Sequence, residues 1–229
     1  MKFTNRVPCR TCGAVYTVTG YGEKDFPPVL CQKCKAAIFL NDLPSVSKIA
    51  ERLLLRSQAE IDGNDPTVSI ICSGAAVEAA FTHVYMKWKE IDNKIGQPTD
   101  EQRDQWESGY RKGTGGGGFE KSANFVSKQL TGKKFDVFVS DFIKKNGIVS
   151  LVGFETPPQE SELKADYVNE KLFRKRNRIL HWGEVNLEKE DALSALMSAR
   201  YAITVLEFME KERGEAFRME FNLASNSPA

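Results

Sequence analysis

Residues 171–184, with the sequence KLFRKRNRILHWGE, hold the side chains best suited to chemistry in this chain. Arg176, Asn177 and His181 lie within six positions of one another, and His181 is one of only two histidines. A histidine can move a proton near neutral pH, and an arginine can hold a phosphate through its planar fork of donors. These residues could therefore cut RNA without a metal ion, with the histidine as acid or base and the arginine on the phosphate.

The stretch is also strongly basic, because five of its first eight residues are lysine or arginine. Such charge would position the phosphates of a nucleic acid, and Trp182 beside the histidine could contact a base. The alternatives are a solvated helix face for the charges and a helix-capping role for His181. The predicted RNA-binding residues besides Trp182 are Lys171, Arg174, Lys175 and Arg178.

The chain as a whole has little charge to attract nucleic acid or a membrane surface, since its net charge is only +1. Its 229 residues are 41% apolar and 28% charged, which fits a soluble protein with a real core. No apolar run approaches the roughly 18 residues of a membrane span, and the first residues lack a signal-peptide pattern. We therefore expect a cytoplasmic protein without a membrane partner, whose cysteines are thiols or metal ligands.

Two Cys-x-x-Cys pairs, Cys9/Cys12 and Cys31/Cys34, are separated by 18 residues. This spacing is typical of a zinc site in which four thiolates close a tetrahedron around the metal. Residues 1–42 therefore resemble a zinc ribbon, with a structural Zn²⁺ that so small a module needs in order to fold. Four cysteine ligands leave no open position for water, so a zinc hydrolase has little support, and no catalytic cofactor is expected. The ribbon could also dock nucleic acid or protein.

From residue 45 onward the apolar residues recur at helical spacing. The pattern predicts a mostly α fold, in which the small N-terminal β zinc ribbon is followed by a bundle of four or five helices over residues 43–213 and a loosely held tail at 214–229. Residues 96–118 are expected to be a flexible Gly-rich insertion, although residues 100–110 could form a short polar helix. The helices are predicted at about 45–61, 67–91, 119–145 (one helix or a broken pair), 161–181 and 187–211.

The second of these helices is apolar nearly all round, and Glu78 is its only charged residue between positions 67 and 86. A lone carboxylate inside a bundle is costly unless it is paired. Arg176 lies between Leu172 and Leu180 at four-residue spacing, which places it beside the apolar face of its own helix. We therefore predict that Arg176 and Glu78 are both buried and lie in contact.

Arg176 and His181 are five residues apart, about 140° around an ideal helix, and do not share a face. Asn177 and His181, which are four apart, do share one. The arginine and histidine converge only if the helix ends at His181, as Trp182 and Gly183 suggest, or if a second subunit completes the site. Strand cleavage uses both an acid and a base, which two histidines facing each other across a two-fold axis would supply. The pattern therefore predicts a homodimer.

An Arg-Asn-x-x-x-His sequence at a helix end, in a helical bundle with an acid on a preceding helix, resembles the HEPN superfamily (higher eukaryotes and prokaryotes nucleotide-binding domains). The resemblance covers residues 45–213 and rests on Arg176, Asn177, His181 and Glu78. It implies a dimeric, metal-independent endoribonuclease of the kind found in toxin–antitoxin and anti-phage systems. It also implies that an antitoxin or regulatory protein is a candidate partner besides RNA.

The resemblance implies a role for each residue. His181 would take the proton from the ribose 2′-hydroxyl and protonate the leaving 5′-oxygen, Arg176 would neutralise the phosphate, and Asn177 would orient the phosphate or the imidazole. RNA would be cut to 2′,3′-cyclic phosphate and 5′-hydroxyl ends. DNA would not be cut, because it lacks the 2′-hydroxyl.

A non-catalytic zinc-ribbon and helical module, which binds nucleic acid or a protein partner, is the alternative. The position of His181 separates the two. An exposed His181 in a cleft with Arg176 near it, across a two-fold axis if necessary, would favour catalysis. A His181 buried among apolar side chains would favour the module.

Overall fold

The structure is a computed structural model of the chain. It describes the side chains of residues 48–93, 98–115, 118–148, 158–183, 186–214 and 216. For a further set only the backbone is described: residues 2–8, 15–21, 29–30, 37–38, 215 and 217–225. The chain divides into two compact units, one of residues 1–45 with 217–229 and the other of residues 46–216.

In the first unit the described backbone segments form two antiparallel strand pairs. Strand β1 (Lys2–Pro8) pairs with β2 (Val15–Tyr21), and β3 (Val29–Leu30) pairs with β4 (Ala37–Ile38). The zinc ribbon stays a prediction, because its four metal ligands lie outside the described residues: Cys9, Cys12, Cys31 and Cys34.

The described part of the second unit is mostly helical, as predicted. The α-helices are α1 (Lys48–Asp62), α2 (Pro66–Asp92), α3 (Asp100–Thr114), α4 (Gly118–Thr131), α5 (Phe135–Asn146), α6 (Ala165–Val168), α7 (Arg174–Trp182) and α8 (Lys189–Ser225). A 3-10 turn (Glu160–Leu163) precedes α6, and a π-helical turn (Asn169–Phe173) joins α6 to α7. The backbone of α8 continues past residue 213, where the sequence predicted the start of a loosely held tail.

Helices α1 and α2 pack closely through small buried side chains. Ser57 on α1 is fully buried, and its hydroxyl lies 2.8 Å from the hydroxyls of both Ser69 and Ser73 on α2. The hydroxyls satisfy one another, so the polar groups cost little at this interface. The break between the two helices is where the sequence predicted it, because Asp65 caps the first turn of α2 and Pro66 begins it.

The middle of the chain is more regular than the sequence predicted. Residues 100–114 form α3, which begins with a capping box at Thr99 and ends at Gly115 with a φ of 48°. Gly113 lies within this helix, and α3 packs so closely on α4 there that a Cβ at position 113 would lie 2.2 Å from the ring of Phe125. The short polar helix that the sequence allowed at residues 100–110 is therefore confirmed, and it extends to Thr114.

The helix predicted at 161–181 is continuous from α6 to the end of α7, and Gly183 ends it with a φ of 65°, as predicted. The π-helical turn within it was not predicted. Leu172 and Phe173, which belong to this turn, are both buried, and Phe173 stacks on Phe119 with ring centroids 5.2 Å apart. This packing fixes the start of α7 against the core, and single π turns are frequent next to functional sites.

Among the described residues, two helices are long and apolar enough to span a membrane by length and composition alone, although the sequence was expected to contain none. They are α2 and the part of α8 from Lys189 to Gly214. Half of the apolar window of α2, and 61% of that of α8, is buried inside the protein. The core helices of soluble proteins meet the same criterion.

Candidate functional site

Arg176 and Glu78 form the centre of the candidate site. Arg176 Nη1 donates to Glu78 Oε1 over 2.8 Å, and Nη2 donates to Oε2 over 2.9 Å. Both terminal nitrogens of the guanidinium therefore meet both oxygens of one carboxylate, which fixes the plane of the guanidinium. The pair joins α7 to α2 across 98 positions of sequence, and the predicted contact is confirmed.

The two partners of this ion pair differ in exposure. The side chain of Arg176 is 18% exposed, whereas that of Glu78 is 51% exposed. The prediction of burial is therefore wrong for Glu78, because the apolar surface of α2 is not covered on the side where the carboxylate lies. A carboxylate at the rim keeps part of its hydration, so the pair contributes about 1 kcal/mol or less to stability. Its main effect is to orient Arg176.

Gly74, one helical turn before Glu78, is a further residue of the site that the sequence pattern did not single out. A Cβ at this position would lie 2.4 Å from Cδ and 3.1 Å from Nε of Arg176. The stem of the arginine therefore lies on the bare backbone of α2, and its Nε is buried without a hydrogen-bond partner in the described chain. A small residue four positions before a helix carboxylate is the one signal that could have indicated it.

Helix α3 brings Tyr110 close to Glu78. Burial raises the pKa of the Tyr110 phenol, the Glu78 carboxylate raises it further, and the phenol lies beside Thr82 and Ser122. The ring of Tyr110 also packs against Tyr85, with centroids 5.2 Å apart. The phenol is therefore a neutral hydrogen-bonding group near the ion pair at physiological pH. The sequence pattern missed it because α3 was assigned to the insertion.

Asn177 and His181 lie on the solvent-exposed surface of α7, one turn apart, as their spacing predicts. Arg176 points towards α2 instead, and no hydrogen bond joins it to His181 among the described residues. Helix α7 continues through His181 to Trp182, so the end of the helix does not bring the two together. The arginine and the histidine of one chain therefore occupy two faces of α7.

The surface beside His181 is apolar as well as exposed. The side chains of Trp182 and Leu180 are 85% and 50% exposed, and the buried residue in this turn is Ile179. The predicted apolar stripe through Leu172 and Leu180 is therefore wrong at its end. Ile179, seven residues after Leu172, lies within about 20° of the same helix face, whereas Leu180, eight residues after it, lies about 80° away. The exposed indole is available to contact a base or a second copy of the chain.

The four predicted RNA-binding cations have different surroundings. Lys175 forms an ion pair with Asp191 in the first turn of α8, and its hydrogen bond lowers the pKa of that carboxyl group. The Lys171 ammonium lies 5.8 Å from the centre of the Tyr167 ring. Two of the four are exposed: Arg174 and Arg178. The cluster therefore combines two half-buried cations, Lys171 and Lys175, with two exposed ones.

We expect Arg174→Ala to weaken RNA binding more than Lys175→Ala does. Arg174 has no ion-pair partner in the described part of the chain, whereas Lys175 already offsets the charge of Asp191. Removal of one cation that binds a phosphate should make the plot of log K for RNA binding against log salt less steep, by about 0.7 for a single strand. RNA-binding titrations at several salt concentrations measure this slope. Lys145→Ala, at the exposed end of α5, is the control for charge alone. Equal slopes for the Arg174 and Lys175 variants would contradict the assignment.

No metal centre is indicated among the residues whose side chains are described, where no three His, Cys, Asp or Glu residues are grouped to hold a metal ion. Comparisons of the chain with known protein families, curated proteins and solved structures found no match. The resemblance to the HEPN superfamily therefore rests on the residues of this chain alone.

Proposed function

We propose that the protein is a metal-independent endoribonuclease of the HEPN type, which acts as a homodimer. The observation that carries the proposal is the bidentate pair between Arg176 and Glu78, on the same short helix as an exposed His181. The pair holds the arginine in one orientation and leaves some of its N–H donors unpaired. A guanidinium has five N–H donors, of which Glu78 takes two, so donors on the two terminal nitrogens stay available for a phosphate.

The separation of Arg176 and His181 supports a dimeric site. The two residues lie on different faces of a regular helix, about 140° apart, and a substrate phosphate cannot lie flat against both faces. A two-fold axis beside the exposed ends of two α7 helices would place His181 of one copy towards the Arg176 of the other. The exposed apolar side chains of Leu180 and Trp182 suit such an interface.

The chemistry that follows is a transfer of the phosphate within the RNA strand. One His181 takes the proton of the ribose 2′-hydroxyl, and the 2′-oxygen attacks phosphorus as the bond to the 5′-oxygen breaks. The second His181 gives a proton to the leaving 5′-oxygen. Arg176 neutralises the charge that develops on the phosphate, and Asn177, one turn from His181, orients the phosphate or the imidazole.

The N-terminal unit supports a structural zinc in this proposal. One Cys-x-x-Cys pair falls in the connection between β1 and β2, and the other falls in the connection between β3 and β4. Four thiolates in such positions would hold Zn²⁺ in a closed site, and the ribbon could dock RNA. A cytoplasmic role in defence or in a toxin–antitoxin pair, with a regulatory protein as partner, belongs to the same proposal.

Cleavage of RNA by the purified protein in EDTA tests the proposal. We expect total cellular RNA to be cut to fragments with 2′,3′-cyclic phosphate and 5′-hydroxyl ends, and DNA of the same sequence to stay intact. EDTA could remove the zinc and unfold the ribbon. A parallel reaction without EDTA, with Zn²⁺ as the only divalent metal, controls for this effect. Cleavage that needs Mg²⁺, or fragments with 5′-phosphate ends, would contradict the mechanism.

A second candidate function is a non-catalytic helical module that binds RNA or protein. It is favoured by the fact that Arg176 is already paired with Glu78, as a purely structural arginine would be. A folded dimer that binds RNA with a strong salt dependence but leaves every RNA intact would support the module.

A further inference from the structure

We propose that Gly74 is a positioning residue of the candidate site, because only a residue without a side chain lets Arg176 lie on α2 and reach Glu78. The inference deepens the proposed function, on which its activity measurement rests. Its structural measurement does not depend on catalysis.

The closest contacts that a Cβ at position 74 would make are all with one residue, Arg176. The three heavy atoms closest to a Cβ at this position all belong to Arg176: Cδ at 2.4 Å, Nε at 3.1 Å and Cγ at 3.5 Å. Carbon atoms in contact are about 3.5–4.0 Å apart, so Cδ would have to move by more than 1 Å. Gly74 is buried, and the part of Arg176 that covers it is the stem, not the charged end.

Gly74 and Glu78 are four residues apart on α2 and therefore lie on one face. The stem of Arg176 crosses the first position and its guanidinium meets the second, with both nitrogen–oxygen distances below 3.0 Å. A methyl group at position 74 pushes the stem of Arg176 away from α2. A bidentate pair needs both nitrogen–oxygen distances to stay short, so this shift breaks it. The arginine is then separated from the carboxylate that fixes its plane.

Helix propensity predicts the opposite effect for the same substitution. Glycine is the least favourable residue apart from proline inside a helix, and replacing it with alanine normally stabilises the helix. Gly214 in α8 is a matched control, because a Cβ there would meet no atom of the described residues within 4 Å. Its replacement by alanine should raise the Tm by about 2–4 °C.

The direct test observes the Arg176 guanidinium by NMR in protein labelled with ¹⁵N-arginine, with its signals assigned by their loss in Arg176→Ala. Two hydrogen bonds to Glu78 should slow rotation of the guanidinium and give separate Nη signals. We expect these signals in the wild type and in Gly214→Ala, and their loss in Gly74→Ala. Persistence of the signals in Gly74→Ala, or their absence from the wild type, overturns the proposal.

A folding defect is also decisive. If Gly74→Ala does not fold, the double variant Gly74→Ala/Arg176→Ala should fold, because the atoms that the new Cβ would meet most closely are gone. Failure of the double variant to fold as well means that Gly74 is needed for another reason, which overturns the proposal.

The activity measurement follows from the same geometry. Gly74→Ala should lower kcat for RNA cleavage as far as Arg176→Ala does, by about 10²–10³-fold, while KM changes less than threefold. Gly214→Ala should keep wild-type kcat. If the wild type cuts no RNA, the proposed function fails, and the NMR signals still decide whether Gly74 seats Arg176. A Gly74→Ala variant that has lost the signals but keeps full kcat shows that Gly74 has no positioning role in the reaction.

Discussion

His181→Ala should lower the rate of RNA cleavage by about 10²–10⁴-fold and leave the Tm within about 2 °C of the wild type. His181 is exposed at the end of α7, so its imidazole contributes little to the core. Without it, neither copy of the site keeps the proposed acid or base. Single-turnover cleavage of one defined RNA measures the rate, and thermal unfolding measures the Tm.

The second histidine of the chain provides the control. His83 lies on α2, and partial burial and the neighbouring Lys87 lower its pKa. His83→Ala should keep the wild-type rate, so a large loss with this variant would mean that the wrong histidine was assigned. Equal rates for wild type and His181→Ala would mean that another group, or a contaminating nuclease, cuts the RNA.

A mixed dimer distinguishes a site that uses one His181 from a site that uses both. If one His181 is the base and its partner the acid, wild-type protein mixed with a large excess of His181→Ala should lose nearly all activity. If each site needs only its own histidine, each wild-type chain should keep its full activity in a mixed dimer. The two outcomes differ most when the variant is in large excess.

The contact between Arg176 and Glu78 could be predicted from sequence because each is a charge at a position where the apolar pattern predicts burial. One is a lone acid in an apolar helix, and the other is a cation on an apolar stripe, so each needed a partner. The exposure of Glu78 could not be predicted, because hydrophobic periodicity does not show which side of a helix its neighbours leave uncovered. Helix ends such as Gly183 were predicted correctly, because their signals are local.

The residues that were missed depend on contacts between helices. Gly74 and Gly113 are weak points by helix propensity, yet each lies where a side chain of another helix comes within 2.4 Å of an added Cβ. The spacing of residues within one helix does not show which side chain of another helix comes close to it. Tyr110 was missed for a related reason, since the polar composition of α3 resembles a loop until its packing on Phe125 is known.

Arg176→Lys should lower kcat for RNA cleavage by about 10²–10³-fold, although it keeps the positive charge. A lysine has a single nitrogen, so it cannot meet both oxygens of Glu78 and present further donors in a fixed plane to the phosphate. The stem of the lysine can still lie on Gly74, so the Tm should change by less than about 4 °C. A small change in KM with a large decrease in kcat would indicate that the arginine acts mainly on the transition state.

The double variant Arg176→Met/Glu78→Gln distinguishes a catalytic arginine from a structural one. Methionine keeps an unbranched stem over Gly74, and glutamine removes the carboxylate that would otherwise be left without its partner. Because Glu78 is half exposed, removal of the ion pair should cost about 1 kcal/mol or less, which lowers the Tm by at most about 4 °C. If Arg176 acts on the phosphate, this folded variant should cut RNA as slowly as Arg176→Ala. If it retains wild-type cleavage, the arginine only holds α7 to α2, and the assignment of Arg176 to the phosphate is wrong.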